Sequence, residues 1–179
     1  VSHHTQTRDG IVLIQDEHHF THENCPPTIQ LGKFSVAFPE PVFAIHTVHK
    51  GKVLLKEPKS NEQLVRQPGT DSFAHYEEFV IEQSVMTSQS IFTTGLIIPV
   101  SQLIQLLDDE FVGMLFERLN ISTINTYGLF QIPPSISKML ENCVDHTMRD
   151  TLKELQLQAR VLDYLCSLAL HLDAIIVPP

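Results

Sequence analysis

Positive charge is scarce in this sequence. Its 179 residues carry 12 Lys and Arg against 21 Asp and Glu, a formal net charge of −9 with neutral histidines. Such a surface is a poor match for nucleic-acid phosphates, so this chain is not expected to touch DNA itself. Cysteine is also sparse. Cys25, Cys143 and Cys166 are odd in number and far apart, with no CxxC pair. Cys143 and Cys166 fall on apolar faces of expected helices, which predicts buried free thiols and fits a reducing cytoplasm. No run approaches the roughly 18 apolar residues that a membrane span needs, and the opening VSHHTQTRDG has no apolar signal core. No initiator Met is present and Val177-Pro178-Pro179 closes the sequence, so a trimmed piece ending in the start of a linker is expected.

Catalytic signatures are missing as well. GxSxG, HExxH, the P-loop and GxGxxG do not occur. Nothing sets the Ser, His and Asp residues into a triad. The adjacent carboxylates Glu77 and Glu78 read as a solvated acidic patch rather than an acid–base pair. The expectation is a protein that is not an enzyme, with no catalytic residues and no cofactor.

What the sequence does contain is a globular balance, 42% apolar and 18% charged, long enough for one domain with a real core. Residues 1–10 read as a flexible polar tail. From Ile11 to Ile98 short alternating runs follow one another. Phe34, Val36 and Phe38 share one side of a strand. Phe43, Ile45 and Thr47 share one face of the next, and Ala44, His46 and Val48 the other. Turn signals lie at Lys50-Gly51-Lys52 and Pro68-Gly69-Thr70-Asp71. Six to eight short strands at this density predict a sandwich or small barrel.

Pro99 changes the pattern. Ser101 reads as the cap of a helix with the stripe Leu103, Ile104, Leu107, Phe111 and Leu115. Residues 120–131 read as a connection. Pro133-Pro134-Ser135 begins a second helix with Ile136, Met139, Leu140 and Cys143 inward. Thr151 to Leu172 is the strongest helix, with the expected core stripe Leu152, Leu155, Ala159, Leu162, Leu165, Cys166, Ala169 and Leu172. The whole predicts an α+β chain: a cupin-like β-barrel or sandwich followed by an antiparallel helical subdomain.

Histidine is abundant, with ten copies. His18, His19 and His22 form HHxxH, but that segment does not read as the helix on which His18 and His22 would converge. His46 and His49 point to opposite faces of a strand. The HxH spacing of a metal cupin is absent, so no metal site is expected. The strand-face residues Phe34, Phe38, Phe43, Ile45, Phe79, Ile81 and Phe92 are the candidate lining of an apolar ligand pocket, or else ordinary core.

The order of a β-rich half, helices and a Pro-containing end resembles the N-terminal regulatory domain of AraC-family transcription regulators. LQLQARVLDYLCSLALHL resembles the L-x-L-E-A-K-x-L-E-L-L helix of such regulators, with Gln158, Arg160 and Asp163 where the family often has Glu, Lys and Glu. Gly95 to Leu107, GLIIPVSQLIQLL, looks like their strand-to-helix entry.

The resemblance implies a cytoplasmic regulator. Residues 11–98 would form a cupin-like sensing domain, 99–174 a helical dimerisation subdomain, and 175–179 the start of a linker to a DNA-binding domain outside this chain. The partners implied are a small, apolar effector, a second copy of the chain, and DNA only through that further domain, with no membrane. For the dimer contact the candidate residues are Leu155, Leu162, Leu165 and Ala169. Two other readings stand beside it: a domain controlled by a partner protein without a small ligand, and a metal-dependent cupin enzyme.

Overall fold

The computed structural model describes residues 1–20, 25–56, 63–141, 143–144 and 147–176. Eight antiparallel strands form one hydrogen-bonded sheet. They are β1 (Ser2–Gln6), β2 (Val12–His18), β3 (Thr28–Lys50), β4 (Val53–Lys56), β5 (Gln63–Arg66), β6 (Thr70–Met86), β7 (Ile91–Pro99) and β8 (Thr126–Gln131). The order is β1-β2-β7-β3-β6-β4-β5, and β8 adds to β6. The helices are α1 (Val100–Leu107), α2 (Asp109–Arg118), α3 (Pro134–Ser137), followed by a 3₁₀ turn (Lys138–Leu140), and α4 (Asp150–Ile176). The expected α+β class is the observed one.

The two long strands shape the sheet. β3 pairs with β6 along its length, but the register shifts between Ala37 and Val42. Pro39 and Pro41 lie in that gap, and neither has an N–H to donate to a ladder. Residues 42–46 are flanked by β6 and β7 together, whereas residues 28–37 pair with β6. Side chains beyond the break therefore have two distinct environments. Phe43, Ile45, Phe73, Leu96 and Ile98 pack against the helices in one large core. On the opposite side of the sheet Val48, Val53, Leu55, Val85 and Ile91 form a second, smaller core. The expected alternation of Phe43 and Ile45 against His46 and Val48 is what separates them.

Several expectations are corrected. The N-terminal tail includes a strand: residues 2–6 pair with β2, and the Thr7 hydroxyl accepts from the Ile11 amide at 3.0 Å to close the turn. Its alternation is polar on both faces, so no hydrophobic pattern marked it. The stretch 120–131, expected as a connection, returns to the sheet as β8. Its large side chains Tyr127 and Leu129 are each 37% exposed, which weakens its apolar signature.

The helix expected from Ser101 begins instead at Val100, without a side-chain cap, and breaks at Asp108. Asp108 takes φ 70° and its Oδ1 accepts from the Phe111 amide at 2.8 Å, capping α2. The helix expected from Pro133 is one short turn, α3, and the 3₁₀ turn.

α4 is rotated relative to its expected stripe. The buried residues are Leu157, Val161, Tyr164, Leu165, Leu168, Ala169 and Leu172. Leu152 and Leu155 are 52% and 58% exposed, and Ala159 and Cys166 also face outward. The cysteine expectation changes accordingly: Cys143 is buried and Cys166 is exposed. Both stripes of α4 are apolar, so periodicity alone could not tell which one meets the sheet.

Candidate functional site

The structure divides the seven candidate pocket residues. Phe43 and Ile45 belong to the large core under the helices, where Phe43 lies 5.5 Å from Phe116 between ring centroids. Phe92 lies 4.9 Å from His49 between ring centroids, with the two rings tilted. The remaining four lie along residues 34–38 of β3 and 79–81 of β6. Phe34 faces Ile81 across the ladder, Phe38 lies 6.0 Å from Phe79, and Tyr76 lies 5.4 Å from Phe79. Phe34 is 42% exposed and Ile81 packs on the smaller core. These aromatics therefore lie between the exposed Phe34 and the smaller core on which Ile81 packs.

Beyond the register shift of β3 the side chains around His46 are small or polar. In antiparallel strands, residues directly opposite project to the same face. His46 is opposite Gly95 on one side and Ser72 on the other, and Ala44 is opposite Ala74. A methyl added at Gly95 would have its nearest heavy atoms at 3.9–4.0 Å, so the space beside His46 tolerates it.

Arg66 reaches the same interior. It is opposite Val53, which is opposite Val85, and both valines are 0% exposed in the smaller core with Val48. Arg66 is 8% exposed, and no described carboxylate forms an ion pair with it. Its Nε and the Nδ1 of His46 have no hydrogen-bond partner. Burial lowers the guanidinium pKa to about 10, while Tyr76 and Tyr127 act the other way. Burial, followed by the charges of Arg66 and His49, holds His46 well below the ordinary imidazole range. His46 is therefore neutral at physiological pH.

The opposite side of these strands carries a buried polar row. Gln15, Thr94 and Thr47 lie side by side across β2, β7 and β3, and Asp71 of β6 lies near Thr47. All four are buried under the helical layer. Gln15 Nε2 donates to the carbonyl of Glu141 at 2.7 Å, and Thr94 to that of Leu140 at 3.4 Å. The Ser137 hydroxyl donates to Asp71 Oδ2 at 2.9 Å. Burial raises the Asp71 pKa to about 6, against the Ser137 hydrogen bond and the nearby Thr47 hydroxyl, which lower it. Thr47 Oγ1 itself lies outside hydrogen-bonding geometry, as do Asp71 Oδ1 and the hydroxyl of Tyr164. Burial and then Asp71 push Tyr164 well above the usual phenol range. His46 and Thr47 are chain neighbours, as are Ser72 and Asp71. Each pair thus presents one residue to the barrel interior and the next to the helices.

The proposed dimer residues also divide. Leu165 and Ala169 are 1% and 8% exposed in the chain's own core, so neither is free to meet a second copy. Leu155 is exposed and Leu162 partly so. Together with Leu152, Ala159, Cys166 and the 71% exposed Leu170 they form a second stripe. At 3.6 residues per turn it lies roughly 150° around the helix from the buried one. Arg160 and Asp163 flank it on one side, 4.0 Å apart. The helix is held against the domain by Gln158 to Asp9, at 2.8 Å, by Glu154 to the Arg8 amide, at 2.7 Å, and by Arg118 with Asp173.

Among the described residues no group of three His, Cys, Asp or Glu side chains could hold a metal ion. His22 of the HHxxH run lies outside them. His46 and His49 diverge as expected: His49 turns to the helix side and bonds Thr94 Oγ1 at 2.9 Å. Arg66 is the residue that sequence reasoning missed. It ends the short run Gln63-Leu64-Val65-Arg66, which follows a charged segment and precedes Pro68-Gly69, so only its weak alternation marked a strand.

No protein-family model matches the chain. No curated protein matches it in sequence. Among solved structures, apo ToxT from Vibrio cholerae strain SCE256 is similar with a TM-score of 0.50 and 11% identity, covering 97% of this chain and 60% of that one. The AraC-like transcriptional activator CuxR gives a TM-score of 0.41 and 10% identity, covering 87% of this chain and 52% of that one. A Klebsiella pneumoniae protein with a double-stranded β-helix domain gives 0.32 and 10%, over 55% of this chain and 71% of that one. The chain spans between half and two thirds of the length of the two regulators it matches. In architecture it is an antiparallel β domain followed by helices, and its fold is similar to that of ToxT.

Proposed function

We propose that this chain is the sensing and dimerisation domain of an AraC-type transcription regulator, with DNA binding carried by a separate helix-turn-helix domain. The observation that carries this reading is the double face of α4. One apolar stripe closes the domain's own core, and a second, Leu152, Leu155, Ala159, Leu162, Cys166 and Leu170, is left outward on a helix anchored at both ends.

That outer stripe is self-complementary in an antiparallel pair. Leu152 falls opposite Leu170 of the second copy, Leu155 opposite Cys166, and Ala159 opposite Leu162. A two-fold axis produces such isologous pairing. In antiparallel pairing one flank of the stripe meets the same flank of the second copy, which brings Arg160 opposite Asp163 on both sides of the axis. Arg160 and Asp163 already attract each other within one helix. The dimer set is therefore revised to the outer stripe, with Leu165 and Ala169 assigned to the core.

The effector reading rests on the barrel interior, where an aromatic approach leads to small and polar residues. A ligand there bears on His46 and Ser72. Their chain neighbours Thr47 and Asp71 lie beneath Ser137 and Tyr164 of the helical layer. A ligand with different affinities for two arrangements of β3 and β6 would bias how α4 sits, and with it the dimer. Among the described residues no helix is long and apolar enough to cross a membrane. A cytoplasmic location belongs to this same proposal.

Sedimentation equilibrium tests the dimer. The parent chain is expected to sediment as a dimer, and Leu155→Glu and Leu162→Glu as monomers with unchanged circular dichroism. A monomeric parent, or mutants as dimeric as the parent, would overturn the proposal.

A further inference from the structure

We propose that the free edge of β3 over residues 33–37 is a second contact between copies of this chain. Two such edges pair antiparallel about a two-fold axis at Ser35 and join into one four-stranded sheet. The contact is separate from that of α4 and does not rest on it.

Residues 33–37 of β3 pair with 78–82 of β6 on one side, and among the described residues no strand pairs with the other side. All five are exposed, Phe34 by 42% and Val36 by 37%. Such an edge presents backbone N–H and C=O groups without strand partners, and proteins ordinarily blunt it or pair it. The prolines stand outside this stretch: Pro26 and Pro27 precede it, and Pro39 and Pro41 follow it. None falls where it would block a ladder. One face is apolar, because opposite residues project to the same side and Phe34 is opposite Ile81, and Val36 opposite Phe79. The single charge on the edge, Lys33, forms none of the described ion pairs.

The pattern of the edge fits itself, which points to a second copy as its partner. When two identical strands pair antiparallel about an axis perpendicular to the sheet, the residue at the axis meets its own equivalent. With Ser35 there, Phe34 falls opposite Val36 of the second copy, and Lys33 opposite Ala37. The register with β6 extends these pairs into rows. One row reads Ile81 and Phe34, then Val36 and Phe79 of the second copy, all on the apolar face. Another reads Glu82 and Lys33, then Ala37 and Glu78 of the second copy. Lys33 thus lies between two carboxylates, one from each chain, and the small Ala37 leaves its long stem room to reach the second. Other axes lose this charge match. An axis at Phe34 sets Lys33 opposite Ser35, which is followed by Val80. An axis at Val36 sets it opposite Pro39, which has no N–H. A short strand pair is marginal in water by itself, so the edge contact is weaker than that of the long helix. In dilute solution the chain sediments through α4 alone, and oxidation traps the edge contact.

Ser35→Cys, in a chain that also carries Cys25→Ser and Cys166→Ser, tests the pairing. Mild oxidation is expected to give a covalent dimer. Lys33→Cys in the same background should give at least about fivefold less, because residue 33 lies roughly 14 Å along the strand from its own equivalent, beyond a disulfide's reach. Adding Lys33→Glu to Ser35→Cys should lower the yield about threefold or more, and adding Glu78→Lys as well should restore it. Residues 33 and 78 are not opposite each other within one chain, so a rescue reports contact between chains. All three positions are exposed, so the fold is expected to survive, which circular dichroism checks. Equal yields from Ser35→Cys and Lys33→Cys, or a loss that Glu78→Lys does not restore, would overturn the pairing. No cross-link from Ser35→Cys would overturn it too, and would leave the edge to a strand of a different protein.

Discussion

Asp71 shows at the scale of one residue how the domain is held in balance. Its carboxyl has a pKa of about 6, raised by burial from an ordinary value of 3.8. Between those two pH values the folded protein keeps a proton that the unfolded chain releases. The stability contributed by this group is therefore full below about pH 4 and is lost as pH rises through 6. Asp71→Asn removes the charge and keeps an acceptor for the Ser137 hydroxyl. It is expected to stabilise the protein by about 2–3 kcal/mol at pH 8 and hardly at all at pH 4. Urea unfolding at the two pH values measures this, and an equal effect at both would contradict it. Gly51 is a second single-residue constraint. It has φ 85°, and an added Cβ would lie 2.3 Å from Ile91 Cδ1 and 2.9 Å from the Ser90 carbonyl. Gly51→Ala is expected to destabilise by roughly 1–3 kcal/mol, read as a lowered Tm. The turn at Gly51 was legible in the sequence. Asp71 was legible only as part of a turn signal, because nothing local says that the helices come to lie over it.

α4 is where the elements decide the outcome. Its sequence announced a long helix, and the helix is there. The face was misassigned because Leu, Ala and Cys occur on both sides, and the choice depends on where β3, β6 and β7 present Phe43, Ile45 and Leu96. Burying one large aliphatic side chain contributes roughly 1.5–3 kcal/mol, so the inner stripe of Leu157, Val161, Leu165, Leu168 and Leu172 dominates the docking of this helix. Leu157→Ala, at a 0% exposed site, is expected to lower unfolding free energy by about 2–5 kcal/mol. Leu155→Ala, on the outer stripe, should change the stability of the isolated subunit by less than about 0.5 kcal/mol. Denaturant titration at a concentration where the chain is monomeric compares them, and similar losses would show that the two stripes had been wrongly separated. β8 and β1 are the other lesson at this scale. Both are edge strands held by backbone pairing to an apolar neighbour, so their own side chains carry little pattern.

For the whole molecule, the sequence made the order of parts legible: strands to Ile98, a change at Pro99, and a terminal helix. It did not make legible how the long strands divide their faces. The candidate pocket residues mixed Phe43 and Ile45, which pack on the helices, with Phe34, Phe38, Phe79 and Ile81, which do not. Alternation assigns faces within a strand, but only the pairing register says which faces of different strands coincide. Packing of Val48 against Val53 and Val85, which register alone does not specify, brings the side of β3 that carries His46 toward the side of β5 that carries Arg66.

Disulfide trapping tests most directly whether two copies of this domain meet through the outer stripe of α4. In the antiparallel arrangement Leu155 falls opposite Cys166 of the second copy, while Cys166 lies roughly 16 Å along the axis from its own equivalent, at 1.5 Å per residue. That is beyond the reach of a disulfide. Leu155→Cys is therefore predicted to give a cross-linked dimer on mild oxidation that disappears when Cys166→Ser is added, and the parent chain is predicted not to cross-link. A cross-link that forms without Cys166, or none with both cysteines present, would contradict the arrangement.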